Sequence, residues 1–168
     1  MVIAYASSTG HTEQYAKLLQ NALDIPAYNI KDFPDIHNGG DVIYLGWLFA
    51  GNIVGYHKIA KKCNVKCLIG VGMSPESAEQ AQFLRKKMNV PADIPVFYLQ
   101  GGYDAKKLTG INKLLMKAKT PSILKQFEGK TEEEKQASAT YRMITEGCSV
   151  VSEEHLADVL AWAKDHEV

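Results

Sequence analysis

Short apolar runs alternate with helix-patterned segments along most of this chain, and that alternation leaves few folds open to it. The runs fall at residues 2–6, 26–30, 42–46, 67–72 and 95–99. Runs such as Val42-Ile43-Tyr44-Leu45-Gly46 carry no polar residue on either face, as expected of strands covered on both sides. Between them lie helical patterns. The first covers about 12–23, with Ala16, Leu19, Ala22 and Leu23 on one face. A short one includes 56–62. Another begins at Ser74 and Pro75, read as a cap and a first-turn proline, and reaches 88. A last helix follows Ser152, with Glu153 and Glu154 in its first turn and Leu156, Val159, Leu160 and Ala163 as its apolar stripe. Strand–helix alternation of this kind predicts an α/β fold with a parallel five-stranded sheet and crossover helices. The length of 168 residues fits one domain, 1–168.

One stretch breaks the alternation. Residues 103–147 hold no convincing central strand. From Asp104 to Lys130 there are seven lysines against two acids, with Leu108, Ile111, Leu114, Leu115 and Met116 interspersed. Thr131 and Glu134 stand at capping-box spacing, and Gly147 sits just past the end of the helix they would start. This reads as a helical insertion after the fifth strand.

The bulk numbers exclude several classes. Lysine plus arginine and aspartate plus glutamate each count 19, so no global charge favours nucleic acid. No apolar run nears the roughly 20 residues a membrane span needs. The start, Met1-Val2-Ile3-Ala4-Tyr5, lacks the basic region and long apolar stretch of a signal peptide, and the expected location is cytoplasmic. Cys63, Cys67 and Cys148 make no even disulfide framework. Cys63 and Cys67 with His57 upstream lack the paired clusters of a structural zinc site, so the three read as free thiols and no metal is expected. His11, His37, His57, His155 and His166 show no spacing that points to catalysis, and no catalytic residue is assigned.

The chemistry concentrates in Ser7-Ser8-Thr9-Gly10-His11-Thr12, between the first strand and the first helix. A phosphate needs converging donors and positive potential, and a helix N-terminus supplies both. Hydroxyls at Ser7, Thr9 and Thr12 add donors, and Gly10 permits a close turn. The loop holds no lysine or arginine, unlike the nucleoside triphosphate loop. The plain alternative is a capping cluster on a surface loop.

The run resembles the FMN phosphate loop of flavodoxins, whose pattern is a hydroxyl residue, any residue, threonine, glycine, any residue, threonine. The resemblance implies a flavodoxin-like three-layer sandwich of strand order 2-1-3-4-5, with FMN as cofactor. It implies that Ser7, Ser8, Thr9, Gly10, His11 and Thr12 hold the phosphate. The flavin ring is then expected against the loops after strands 3 and 5, at the switch point of the sheet. Those loops carry Trp47, Leu48, Phe49 and Ala50, and Gly101, Gly102, Tyr103 and Asp104. Trp47 stands earlier than the usual family tryptophan, and Phe49 or Ala50 falls nearer that place.

Ordinary flavodoxins are strongly acidic, whereas this chain is neutral with a lysine-rich insertion. The stretch Gly101-Gly102-Tyr103 through Ile111-Asn112-Lys113-Leu114-Leu115-Met116-Lys117 is similar to the insertion in flavodoxin-domain proteins related to menaquinone-dependent protoporphyrinogen dehydrogenase. The expected role is electron transfer between a reductant and a redox partner protein or quinone-type acceptor. A quinone-dependent protoporphyrinogen-type oxidoreductase and a flavin-free binding or regulatory module are the alternatives. The lysine-rich insertion suits either peripheral contact with a membrane or a solvated cover over the sheet edge.

Overall fold

The computed structural model describes residues 1–168, apart from the side chains of Ile111 and Asn112. Five parallel strands form the centre: β1 (Val2–Ala6), β2 (Ala27–Asn29), β3 (Asp41–Phe49), β5 (Asn64–Gly72) and β6 (Val96–Gln100). A sixth strand, β4 (Asn52–Ile53), pairs antiparallel with the end of β3. Among the described residues the parallel path runs β2-β1-β3-β5-β6, with β4 off it. The expected five-strand order 2-1-3-4-5 takes no account of β4, which arises because β3 runs on past Gly46 and folds back on itself. Leu48 pairs with Ile53 and Phe49 with Asn52 across the two-residue turn Ala50-Gly51. Both turn residues have positive φ (50° and 75°), the conformation whose twist suits a tight hairpin.

Alternate residues of each strand feed two apolar layers. Val2, Ala4, Val42, Tyr44 and Leu68 pack with Ile59 and Leu84 on one face. Ile3, Tyr5, Ile43, Leu45 and Ile69 pack with Tyr15, Leu19 and Val159 on the other. Helices α2 (Tyr56–Ile59) and α3 (Ala78–Met88) cover the first face. Helices α1 (His11–Leu23) and α7 (Ala157–Asp165) cover the second. A bulge keeps β5 in step with this division. Val42 pairs with Val65 but Ile43 with Cys67, so Lys66 is passed over and left exposed. Without the bulge Val65 and Cys67 would share a face; with it they enter opposite layers.

Several expected boundaries move for tertiary reasons. Ala22 is exposed, and the buried face of α1 is His11, Thr12, Tyr15, Ala16 and Leu19. Helix α3 starts not at Ser74 but at Ser77, whose hydroxyl accepts from the Gln80 N–H at 3.3 Å. The Ser74 carbonyl instead accepts from the Tyr98 hydroxyl at 2.8 Å, tying that segment across the strand ends.

The insertion is helical, as expected: α4 (Gly110–Leu124), α5 (Glu132–Ala137) and α6 (Ala139–Thr145). The capping box at Thr131 and Glu134 is formed in both directions. The single helix expected after it is interrupted at Ser138, which leaves helical geometry and caps α6 through the Tyr141 N–H. Tyr103, Leu108, Met143 and Ile144 centre a third apolar cluster under α4. Leu114 and Leu115 of the lysine-rich face are 67% and 36% exposed. Ile111 and Asn112, named in the sequence reading of this helix, have side chains outside the described residues. Among the described residues no helix is long and apolar enough to cross a membrane.

Candidate functional site

The loop after β1 and the first turn of α1 stand at the carboxyl end of the sheet, where β1 and β3 lie side by side. Gly10 takes φ 95° and precedes α1 without offering a side-chain cap. The donors of that first turn are left open as a result. Among the described residues the N–H groups of Ser8, Thr9, His11, Thr12 and Glu13 make no hydrogen bond to the protein. Uncapped N–H groups at a helix start are the usual seat of an anion. Ser7 does not reach forward into this space, because its hydroxyl accepts from the Gly10 N–H at 3.1 Å and braces the turn.

A cavity of about 290 Å³ opens beside these donors. That is close to the lower end of small-molecule pockets, roughly 300–1,000 Å³. Ser8, Thr9, His11 and Thr12 form its polar end. Its walls are apolar: Trp47 and Leu48 from β3, Val71 and Met73 from β5 and just beyond, Phe83 and Leu84 from α3. Leu108, Met116 and Ile123 of the insertion close another side. Gly102 and Tyr103 complete it after β6, and Gly102 leaves room for His11, since a β-carbon there would stand 2.5 Å from Nε2.

The residues expected at the site therefore separate into two groups. Ser8, Thr9, His11, Thr12, Trp47, Leu48, Gly102 and Tyr103 line the cavity. Ser7 and Gly10 shape the loop from behind. Phe49 packs on Trp47 with ring centres 5.8 Å apart, and the Lys119 ammonium lies 5.5 Å from the Phe49 ring centre. Ala50 is in the hairpin turn, its carbonyl accepting from Lys87 Nζ at 2.7 Å. Gly101 is buried against Val71, and Asp104 caps the turn at Lys106. Sequence reading missed Met73, Phe83, Tyr98, Met116 and Ile123, which reach the cavity from separate elements and carry no local motif.

His11 is only 6% exposed. Its Nδ1 lies 2.9 Å from Thr9 Oγ1. Burial, with the charge of Lys107 second, holds its pKa below the ordinary 6.5 against the opposing pull of Asp104. His11 is therefore neutral at pH 7. As pH falls below 6.5 the unfolded chain takes up this proton before the folded one, so stability present above 6.5 is lost through that window. Thermal unfolding over a pH series is expected to show this loss in the wild type and a shallower one in His11→Gln. Equal slopes would remove His11 from the account.

A second titratable group in the cavity wall is already committed. Tyr98 donates to the Ser74 carbonyl, and burial pushes its pKa up to about 12. Among the described residues no group of three histidine, cysteine or acidic side chains is placed to hold a metal ion. Cys63 and Cys67 are buried free thiols and Cys148 is half-buried. The arrangement offers anion binding at one end and an apolar slot at the other, with no acid–base pair between them. A scan against protein-family models and a search of curated proteins find no match to the chain.

Proposed function

We propose that this chain is a flavodoxin-like redox protein that binds FMN. The observation that carries the reading is the set of uncapped N–H groups at the start of α1, flanked by the Ser8, Thr9 and Thr12 hydroxyls at the polar end of an apolar cavity. The sheet supports it as well. With the antiparallel β4 set aside, the parallel strands succeed one another as 2-1-3-4-5, and the cavity lies at the switch point between β1 and β3.

The residues fit the group chemically. Ser8, Thr9, His11 and Thr12 would hold the phosphate through backbone N–H and hydroxyl groups. Trp47, Leu48, Gly102 and Tyr103 would border the flat ring. Neutral His11 adds no charge of its own, so the phosphate's charge would be met by the helix start. Bound FMN would supply the one- or two-electron transfer. The protein's part is to orient the ring and exclude water, which the apolar walls do. Leu108, Met116 and Ile123 roof the cavity, and this favours a diffusible quinone-type acceptor over a bulky protein partner.

The test is an absorption spectrum of the purified protein, then titration of the flavin-free form with FMN and with riboflavin. Retained flavin bands, or saturable FMN binding at least about tenfold tighter than riboflavin, are expected if the helix start grips the phosphate. A colourless protein that binds neither compound would leave a flavin-free binding module.

A further inference from the structure

The loop that follows β6 enters the cavity at Gly102 and Tyr103, and the residue before it is held by groups from separate parts of the chain. The Gln100 N–H donates to Glu76 Oε1 at 2.8 Å. Its carbonyl accepts from the Tyr15 hydroxyl at 2.5 Å, and its side-chain amide donates to the Met73 carbonyl at 3.0 Å. Strand β6 ends the parallel path. The next N–H, of Gly101, donates inward to Gly72 at 2.8 Å, so the backbone groups of Gln100 face the open side of the sheet. A further strand would satisfy them there. Here a carboxylate and a phenol do so.

His155, in the turn before α7, completes the arrangement. Its Nδ1 lies 2.7 Å from the Tyr15 hydroxyl oxygen and 3.5 Å from Glu76 Oε1. Tyr15 has one proton and gives it to Gln100, so the hydrogen between Tyr15 and His155 belongs to Nδ1. Burial and then the charge of Glu76 push the Tyr15 pKa up, which keeps that proton in place. Tyr15 is fully buried and sits one turn beyond His11 and Thr12 on α1. The helix that bears the anion-binding loop is thus bonded directly to the residue that launches the other cavity loop.

We propose that Tyr15, Glu76 and His155 are positioning residues that lock the 100–103 loop to α1, fixing the distance between the anion-binding end and the ring-binding end of the cavity. The identity of the ligand rests on the FMN reading; the lock itself does not. Breaking it leaves the phosphate end intact and loosens the ring end.

The experiment compares wild type with Tyr15→Phe, His155→Ala and His155→Asn. Amide hydrogen exchange is followed at residues 100–103 in ligand-free protein. Affinities are measured for inorganic phosphate, riboflavin and FMN, together with the visible spectrum of bound flavin. Tyr15→Phe is expected to speed exchange at 100–103 by about tenfold, the scale of one lost hydrogen bond. Riboflavin and FMN should weaken by a similar factor with a changed band shape, while phosphate binding stays within about twofold. His155→Ala should move the same readouts in the same direction. His155→Asn, whose carboxamide N–H stands in for Nδ1–H, should restore them, and this pair decides if Tyr15→Phe does not fold. Unchanged exchange and affinities in a flavin-binding protein overturn the lock and leave the FMN reading standing. Equal weakening of phosphate and riboflavin also overturns it, since that is general loosening. A wild type that binds no flavin but whose loop is freed by Tyr15→Phe overturns the FMN reading and supports the lock.

Discussion

Replacing Gly10 with valine is expected to reduce FMN affinity at least about 100-fold, the equivalent of one to two charge-assisted hydrogen bonds. The cause is backbone conformation rather than crowding. A β-carbon at Gly10 would meet no atom within 4 Å, but φ is 95°, where a β-branched residue is strained by about 1–3 kcal/mol. Relief of that strain rotates the turn that aims the N–H groups of residues 8–13. Asparagine tolerates positive φ far better than valine, so Gly10→Asn should retain most of the affinity. Fluorescence titration with FMN and riboflavin, alongside thermal unfolding, checks the idea. Gly10→Val should lose the preference for FMN over riboflavin. If it binds FMN as the wild type does, the α1 N-terminus is not the phosphate site.

Gly46→Ala, in the middle of β3, is expected to carry a heavy stability cost. A β-carbon there would stand 2.5 Å from Ile53 Cγ2 and 2.6 Å from the Val54 carbonyl oxygen. That carbonyl is backbone, and it also accepts from the buried Tyr44 hydroxyl at 2.7 Å, so it has little freedom to retreat. Overpacking against such a neighbour costs on the order of 3 kcal/mol, which lowers Tm by about 6–12 °C in a chain of this size. Gly70, paired with Gly46 in the sheet, gives the contrast. Its β-carbon would first meet Leu84 Cδ1 at 2.7 Å, the end of a flexible side chain, so Gly70→Ala should cost less. Calorimetry on the two variants decides the point; equal Tm losses would mean that the hairpin end yields as readily as Leu84. Because β3 presents Trp47 and Leu48 to the cavity, Gly46→Ala should weaken riboflavin binding as well.

Both glycines show how differently the two ends of the cavity are written. Gly10 stands in a contiguous motif whose meaning depends on its immediate neighbours: a strand before it, a helix after it, hydroxyls on either side. The hydroxyl-rich turn at the polar end was legible for that reason, down to the absence of a basic residue. Gly46 reads in sequence as the last residue of an apolar strand. Nothing near it announces that β3 continues through Phe49 and turns at Ala50-Gly51, because alanine at a positive φ is held there from outside, by Lys87 on α3.

The same division runs through the whole chain. Residues 2–6, 42–46 and 67–72, the capping box at Thr131 and the stripe of α7 follow from short-range chemistry, since apolar period, cap residues and helix-dipole charges act within a turn or a strand. The bulge at Lys66 and the start of α3 at Ser77 rather than Ser74 required partners distant in sequence. So did the cavity walls. Met73, Phe83, Tyr98, Met116 and Ile123 become neighbours through sheet pairing and the seating of the insertion. Local sequence specified a hydroxyl-rich turn at a helix start on an α/β sheet; three-dimensional packing specified the apolar space it opens onto, because burial brings together residues that no local spacing relates.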